Sequence, residues 1–262
     1  MKKRISILLT LALMISTMLP ITTYAATNYA KTLDNMKAGD VQKYDKKLPT
    51  KGAKKTEKQI KNLLKKIKMK MPGKGNTSYS YTLTFSKNSG GNLEYATKSK
   101  SWWQYNSKTK YSTSRYEIKY ILFYGGELNN ITTCGISTED KKFNYSYSWD
   151  KGQKVGLKYK FPKVSSKTTT TKGPKPTNYR LYKDETVLGQ KCMVYSYDLK
   201  WNGEKSTYYY YISKKTGLEV KFISTNSLST YTTIVFDIKN ISKKVSFFAP
   251  PKNVKFSELE TD

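Results

Sequence analysis

The 262-residue chain has no histidine, only two cysteines, three arginines and 19 acidic residues against 48 basic ones. Each shortage excludes something. Without His there is no Ser-His-Asp or Cys-His catalysis, no His-ligated zinc and no imidazole pH switch. Two Cys, without a C-x-x-C pair, cannot by themselves build a structural zinc site or an iron–sulfur cluster. Scarce Arg argues against bidentate readout of phosphates or bases, because Lys acts only as a point charge. No metal or cofactor is therefore expected. Long apolar runs are also missing after the N-terminus, so no later segment reads as a membrane span.

What is present begins with a leader. Lys2, Lys3 and Arg4 precede an apolar stretch from Ile5 to Ile21, and Thr23-Tyr24-Ala25 puts small residues at −3 and −1 of a cleavage site after Ala25. The alternative is an uncleaved anchor, for which the run is short. The leader is of bacterial type, and the expected setting is the cell envelope or exterior of a Gram-positive bacterium. Removing 25 residues, three of them basic, leaves 237 residues at +26. That length suits one domain with a real core.

The charge has two readings. It can attract anionic envelope polymers such as teichoic acid, or anionic lipid headgroups. Equally, Lys, Tyr, Ile and Asn are what an AT-rich genome supplies without selection for binding. No specific nucleic-acid partner is implied, and oligomeric state is left open. Cys134 and Cys192 either pair in the oxidising exterior, worth roughly 4 kcal/mol for so long a loop, or remain two buried thiols.

Residues 26–55, with Gly39, Pro49 and Gly52 among lysines, read as an irregular basic arm. A helix then starts at a capping box, Thr56 with Gln59. Ile60, Leu63, Leu64, Ile67 and Met71 form its apolar stripe, and Pro72-Gly73 ends it. Lys58, Lys61, Lys65, Lys66 and Lys68 crowd the other face. From Lys43 to Lys74, 13 lysines stand against Asp45 and Glu57, a local +11. The stripe either lies on an anionic membrane or polymer with its lysines engaged, or covers a sheet while the lysines face water.

After Gly75 the period changes to two. Tyr79, Tyr81, Leu83 and Phe85 alternate with small polar residues; so do Phe143, Tyr145, Tyr147 and Trp149, and Val155, Leu157, Tyr159 and Phe161. This is the pattern of antiparallel strands with one apolar face. Leu93–Thr97, Trp102–Tyr105, Arg115–Tyr124, Ile131–Ile136, Cys192–Leu199, Thr207–Ser213, Leu218–Ser224 and Tyr231–Lys239 are further strands. Turns fall at Asp150-Lys151-Gly152 and Lys214-Lys215-Thr216-Gly217, and residues 165–178, rich in Thr, Pro and Lys, read as a flexible loop. The expected fold is α+β: one strongly curved antiparallel sheet of about nine to eleven strands, an unclosed half-barrel, covered by an N-terminal amphipathic helix, with 56–262 as a single domain.

Three stretches resemble the LolA-like superfamily of lipoprotein carriers. The capped helix entering Ser78–Phe85 is similar to the family's opening helix and first strand. Trp102-Trp103 through Arg115-Tyr116-Glu117 resembles its next strands. Val187-Leu188-Gly189-Gln190-Lys191-Cys192 to Tyr195, Tyr211 to Leu218, Phe236 to Ile241 and Phe247 to Pro251 resemble its C-terminal segments, although Glu219 stands where the family often has Pro. The resemblance spans residues 56–256 as an order of elements. It implies a half-barrel whose apolar concave face takes acyl chains. The residues placed there are Tyr79, Tyr81, Leu83, Phe85, Trp102, Phe143, Tyr145, Tyr147 and Trp149, with Ile60, Leu63, Leu64 and Ile67 as a helical lid. The same residues also serve as ordinary core under a helix. The function expected is an exported, non-catalytic holder of a lipid or acylated, lipoprotein-like ligand. The second reading is a polyanion binder using Lys58, Lys61, Lys65, Lys66 and Lys68. Carboxylates are the remaining acid–base groups besides Lys and Tyr, and Glu117, Glu127, Glu139-Asp140 and Asp184-Glu185 fall in turn or surface contexts, so an enzyme is not expected.

Overall fold

The computed structural model describes residues 26–70, 72–123, 126–127, 131–163 and 173–260. The leader, Met71, Tyr124 and residues 165–172 of the Thr/Pro-rich loop lie outside the described residues. In chain order the elements are α1 (Ala26–Asp34), α2 (Ala38–Val41), a 3-10 turn (Gln42–Tyr44), β1 (Ala53–Lys54) and α3 (Glu57–Lys66). Then come β2 (Thr77–Asn88), β3 (Leu93–Asn106), β4 (Tyr111–Phe123), β5 (Gly126–Glu127), β6 (Thr132–Glu139), β7 (Phe143–Asp150) and β8 (Val155–Pro162). The second half holds β9 (Thr177–Leu181), β10 (Glu185–Val187), β11 (Gln190–Trp201), β12 (Glu204–Ser213), β13 (Glu219–Thr225), β14 (Ser229–Ile241), a 3-10 turn (Val245–Phe248) and β15 (Lys255–Glu260).

All strands join one large, curved, unclosed sheet in an α+β fold dominated by that sheet. Its order is β1-β9-β11-β12-β13-β14-β2-β3-β4-β6-β7-β8-β15, with β10 beside β11 and β5 beside β4. Pairing is antiparallel except for β15, which runs parallel to β8. The chain thus builds outward from a centre at β14·β2, where residues 229–241 meet 77–88.

The described residues hold fifteen strands rather than nine to eleven. The stretches Leu93–Thr97 and Trp102–Tyr105 are one continuous β3, because Lys98 and Lys100 break the apolar pattern without breaking the strand. Lys98 is 5% exposed, so a charged residue occupies a core position there. Five strands are extra: β1, β5 and β10 are two or three residues long, below any periodic signal, while β9 begins at Thr177, inside the stretch read as loop, and β15 carries charge at every second or third position.

Residues 26–55 are more ordered than their composition suggests. Leu33, Met36 and Val41 are buried at 0, 5 and 0% exposure, and they join the main core with Tyr81, Leu83, Phe85, Val194, Tyr211, Ile223 and Ile234. Three apolar residues on two short helices and the link between them are too few for a sequence period, yet each packs into the core on the sheet face. Helix α3 starts at the expected box: Thr56 Oγ1 accepts from Gln59 N at 3.2 Å, and Thr56 N donates to Gln59 Oε1 at 2.9 Å. It ends at Lys66, with Ile67 already extended. The chain then passes so close to the β12–β13 turn that a Cβ on Gly217, whose φ is +75°, would stand 2.9 Å from the Met69 Cα. Glycine is required there on both counts.

Candidate functional site

Strand register sorts the aromatic residues between two faces. Tyr79 lies opposite Trp102, Trp102 opposite Arg115, Arg115 opposite Ile136, and Ile136 opposite Tyr147. With the period of two along β2 and β7, Tyr79, Tyr81, Leu83, Phe85, Trp102, Phe143, Tyr145, Tyr147 and Trp149 all share one face, here the front. The nine residues singled out in the sequence are therefore on one surface, though in different states of cover.

One half of that surface is filled by the chain itself. Tyr81, Leu83 and Phe85 are 3, 0 and 1% exposed beneath α1 and the segment after it. Polar contacts fasten this cover: the Tyr81 phenol donates to Asp34 Oδ1 at 2.8 Å, and Lys87 pairs with Asp45 at 2.5 Å. The Tyr44 ring stands edge-on to Phe236 at 5.2 Å. A cavity of about 210 Å³ remains beside it, lined by Asp34–Lys37, Lys98 and Lys119–Ile121. That is small against pockets that enclose a typical ligand.

The other half is more open. Trp102 and Trp149 are buried, with Trp102 packed on Phe247 at 5.3 Å and Trp149 on Phe256 at 5.9 Å. Phe143, Tyr145 and Tyr147 stay partly exposed. Lysines from β8 lean over these rings: Lys158 Nζ is 5.5 Å from the Tyr145 centroid and Lys160 Nζ 4.4 Å from that of Phe143. Lys158 also pairs with Glu258 at 2.7 Å, which lowers the Glu258 carboxyl and raises the ammonium. Between the halves sits Arg115. Its guanidinium lies 4.7 Å from the Phe247 ring, and Nη1 donates to the Phe247 carbonyl at 3.0 Å. Its Nε is buried with no partner among the described residues. Tyr79, beside Trp102, has its phenol raised well above the ordinary value, first by burial and then by Asp237.

The helical lid is placed elsewhere than expected. Ile60 is 2% exposed and Leu63, Leu64 and Ile67 are half-buried. However, α3 packs beside β9, near the far end of the sheet from β7. The cause is tethering: Ala53 and Lys54 pair with Leu181 and Arg180, and α3 begins three residues later. The front face is covered instead by α1, residues 36–48 and the turn at Val245–Phe248. Lys58, Lys61, Lys65, Lys66 and Lys68 are all exposed on α3 and just after it.

The two cysteines do not bond. Cys134 on β6 and Cys192 on β11 are free, buried and seven strands apart in the sheet order. A disulfide needs Cα atoms within about 7 Å. Burial raises both thiols, that of Cys192 to about 12.

The back face carries a second aromatic group that the sequence reading did not single out. Tyr195 faces Tyr210, which faces Phe222, and Tyr197 faces Tyr208. Tyr195 stacks on Tyr210 at 5.1 Å, and the Tyr197 and Tyr210 hydroxyls share a hydrogen bond of 2.9 Å. Near them Glu219, partly exposed as a residue but without an ion pair among the described residues, has its carboxyl pushed up to about 7 by burial. The run Tyr208–Tyr211 hid this group, since Tyr209 and Tyr211 point to the front and Tyr208 and Tyr210 to the back, leaving no alternation to read.

Among the described residues no cluster of three or more His, Cys, Asp or Glu could hold a metal ion, and no helix is long and apolar enough to cross a membrane. No protein-family model matches the chain, and no curated protein matches it. Among solved structures it is similar to a DUF1329 family protein from Desulfovibrio piger, with 11% identity and a TM-score of 0.34, over 73% of this chain and 95% of that one. A likeness of that size leaves fold and function to be read from this chain's own residues.

Proposed function

We propose that this is an exported, non-catalytic binding protein that holds the acyl part of a lipid or acylated ligand on the open half of the front face. One observation carries the reading: Phe143, Tyr145 and Tyr147 form a partly exposed aromatic surface with the ammonium groups of Lys158 and Lys160 at its rings. Such a surface offers apolar area to a chain, and the ammonium groups at its edge, that of Lys158 paired with Glu258, keep that edge polar. The rings also keep hydroxyls for water or headgroup contacts. Support comes as well from the leader-like N-terminus and from the sequence resemblance to lipoprotein carriers. The covered half, with Tyr81, Leu83 and Phe85, is core in this reading and takes no ligand.

The test is calorimetric titration of delipidated protein with oleate. Binding should be saturable. Replacing Phe143, Tyr145 and Tyr147 together by Ala should weaken it by about tenfold or more, about 1.4 kcal/mol. The back-face variant Tyr195→Ala/Tyr208→Ala should bind as the parent does. Absence of saturable binding, or equal loss in both variants, would refute the assignment.

A further inference from the structure

Helix α3 exposes a cationic ridge whose apolar side is already used. Ile60 is buried against the protein and Leu63, Leu64 and Ile67 are half-buried. A helix that lies in a bilayer interface needs that stripe free to enter the acyl region, so the membrane reading of this segment loses its anchor. What remains outward is charge. Lys54, Lys58, Lys61, Lys65, Lys66, Lys68 and Lys70 are exposed. Glu57 is the sole acidic residue between Ala53 and Lys74. Among the described residues it pairs with Lys61 at 2.5 Å, while the other six lysines of the ridge have no ion pair there.

The spacing matters. Lys58, Lys61 and Lys65 follow at i, i+3 and i+7, one line on the helix surface, and cover about 10 Å of axis at 1.5 Å per residue. Lys54 precedes the helix on the edge strand β1, and Lys68 and Lys70 follow its end in the chain. Like charges three and four residues apart repel, and a bound anion chain would relieve that repulsion. The ridge has no Arg and no aromatic residue. It therefore lacks bidentate forks and stacking surfaces, the two devices by which nucleic acids are gripped at their bases.

We propose that Lys54–Lys70 is a docking ridge for a linear polyanion whose charge is carried by backbone phosphodiesters without bases. Recognition is by charge spacing alone, and it is separate from the aromatic surface on β7 and β8.

The probe is poly(glycerol phosphate), titrated by fluorescence anisotropy at stepped NaCl concentrations. Affinity should fall steeply and log-linearly with salt as counterions are released. The variant K58Q/K61Q/K65Q/K66Q/K68Q should lose about tenfold or more and show a shallower salt slope. Gln keeps helix propensity, and the corresponding five-Arg variant, which keeps the charge, should restore binding. A control variant, K108Q/K141Q/K142Q/K154Q/K252Q, removes the same charge from exposed positions elsewhere and should stay within about twofold. Equal loss in both Gln variants would reduce the effect to net charge and overturn the ridge. So would tighter binding to phosphatidylglycerol vesicles, to hyaluronate or to oligo-dT at equal charge concentration. Oleate binding should be unaffected by the ridge variant, which keeps the two proposals separable.

Discussion

The Lys98 ammonium donates to the Asp34 carbonyl at 2.7 Å and to the Met36 carbonyl at 3.1 Å. These carbonyls belong to the end of α1 and the turn after it, where helical partners run out. A cation is also favoured at a helix C-terminus. Lys98 thus pins the N-terminal cover onto β3 from inside the core, and burial lowers its own ammonium. Lys98→Ala should destabilise the fold by about 2 kcal/mol, since it leaves buried carbonyls unpaired. Urea unfolding checks this. An unchanged midpoint would mean that the cover is held by apolar packing alone.

Glu219 should make stability fall with rising pH. Its carboxyl is raised from 4.5 to about 7 by burial, so the folded chain holds more protons than the unfolded one between those values. The slope of unfolding free energy with pH is then negative across that window and flat above it. Glu219→Gln should abolish the decline and stabilise the protein at pH 8 by on the order of 2 kcal/mol. Thermal melts of both proteins from pH 4.5 to 8 measure it. Parallel curves would show that the group is solvated.

Gly135 on β6 is overlain by the Tyr116 ring, and a Cβ there would overlap the ring's Cζ atom and hydroxyl. Gly135→Ala should cost about 1–3 kcal/mol by overpacking. The cost should shrink in a Tyr116→Ala background, because the clash is shared by that pair. Additive costs would place the strain elsewhere.

Free, buried thiols predict a clear chemical result. Ellman's reagent should find no reactive thiol in the native protein and two after unfolding without reductant. A count of zero under denaturant would mean a disulfide and a different strand arrangement.

The antiparallel sheet and its aromatic front face were legible because β2 and β7 alternate cleanly: Tyr79 to Phe85 and Phe143 to Trp149 need only a period of two. The capping box of Thr56 was legible for the same local reason. What failed to show was non-local. Lys98 looks like a surface residue until α1 and the turn after it each supply a carbonyl for it. Leu33 and Val41 lie on short helices and Met36 in the link between them, too little chain for a period to show. The site of α3 depends on β1 pairing with β9, more than 120 residues later in the chain. The back-face group of Tyr195, Tyr208 and Tyr210 was hidden because the neighbouring front face is aromatic too.

The central claim is the location of the ligand. The most direct measurement is photocrosslinking of a diazirine-bearing fatty acid to the purified protein, with peptide mapping of the label. Saturable labelling concentrated in Phe143–Pro162, and competed by oleate, is the predicted result. Label concentrated in β11–β13, or spread without saturation, would contradict the account.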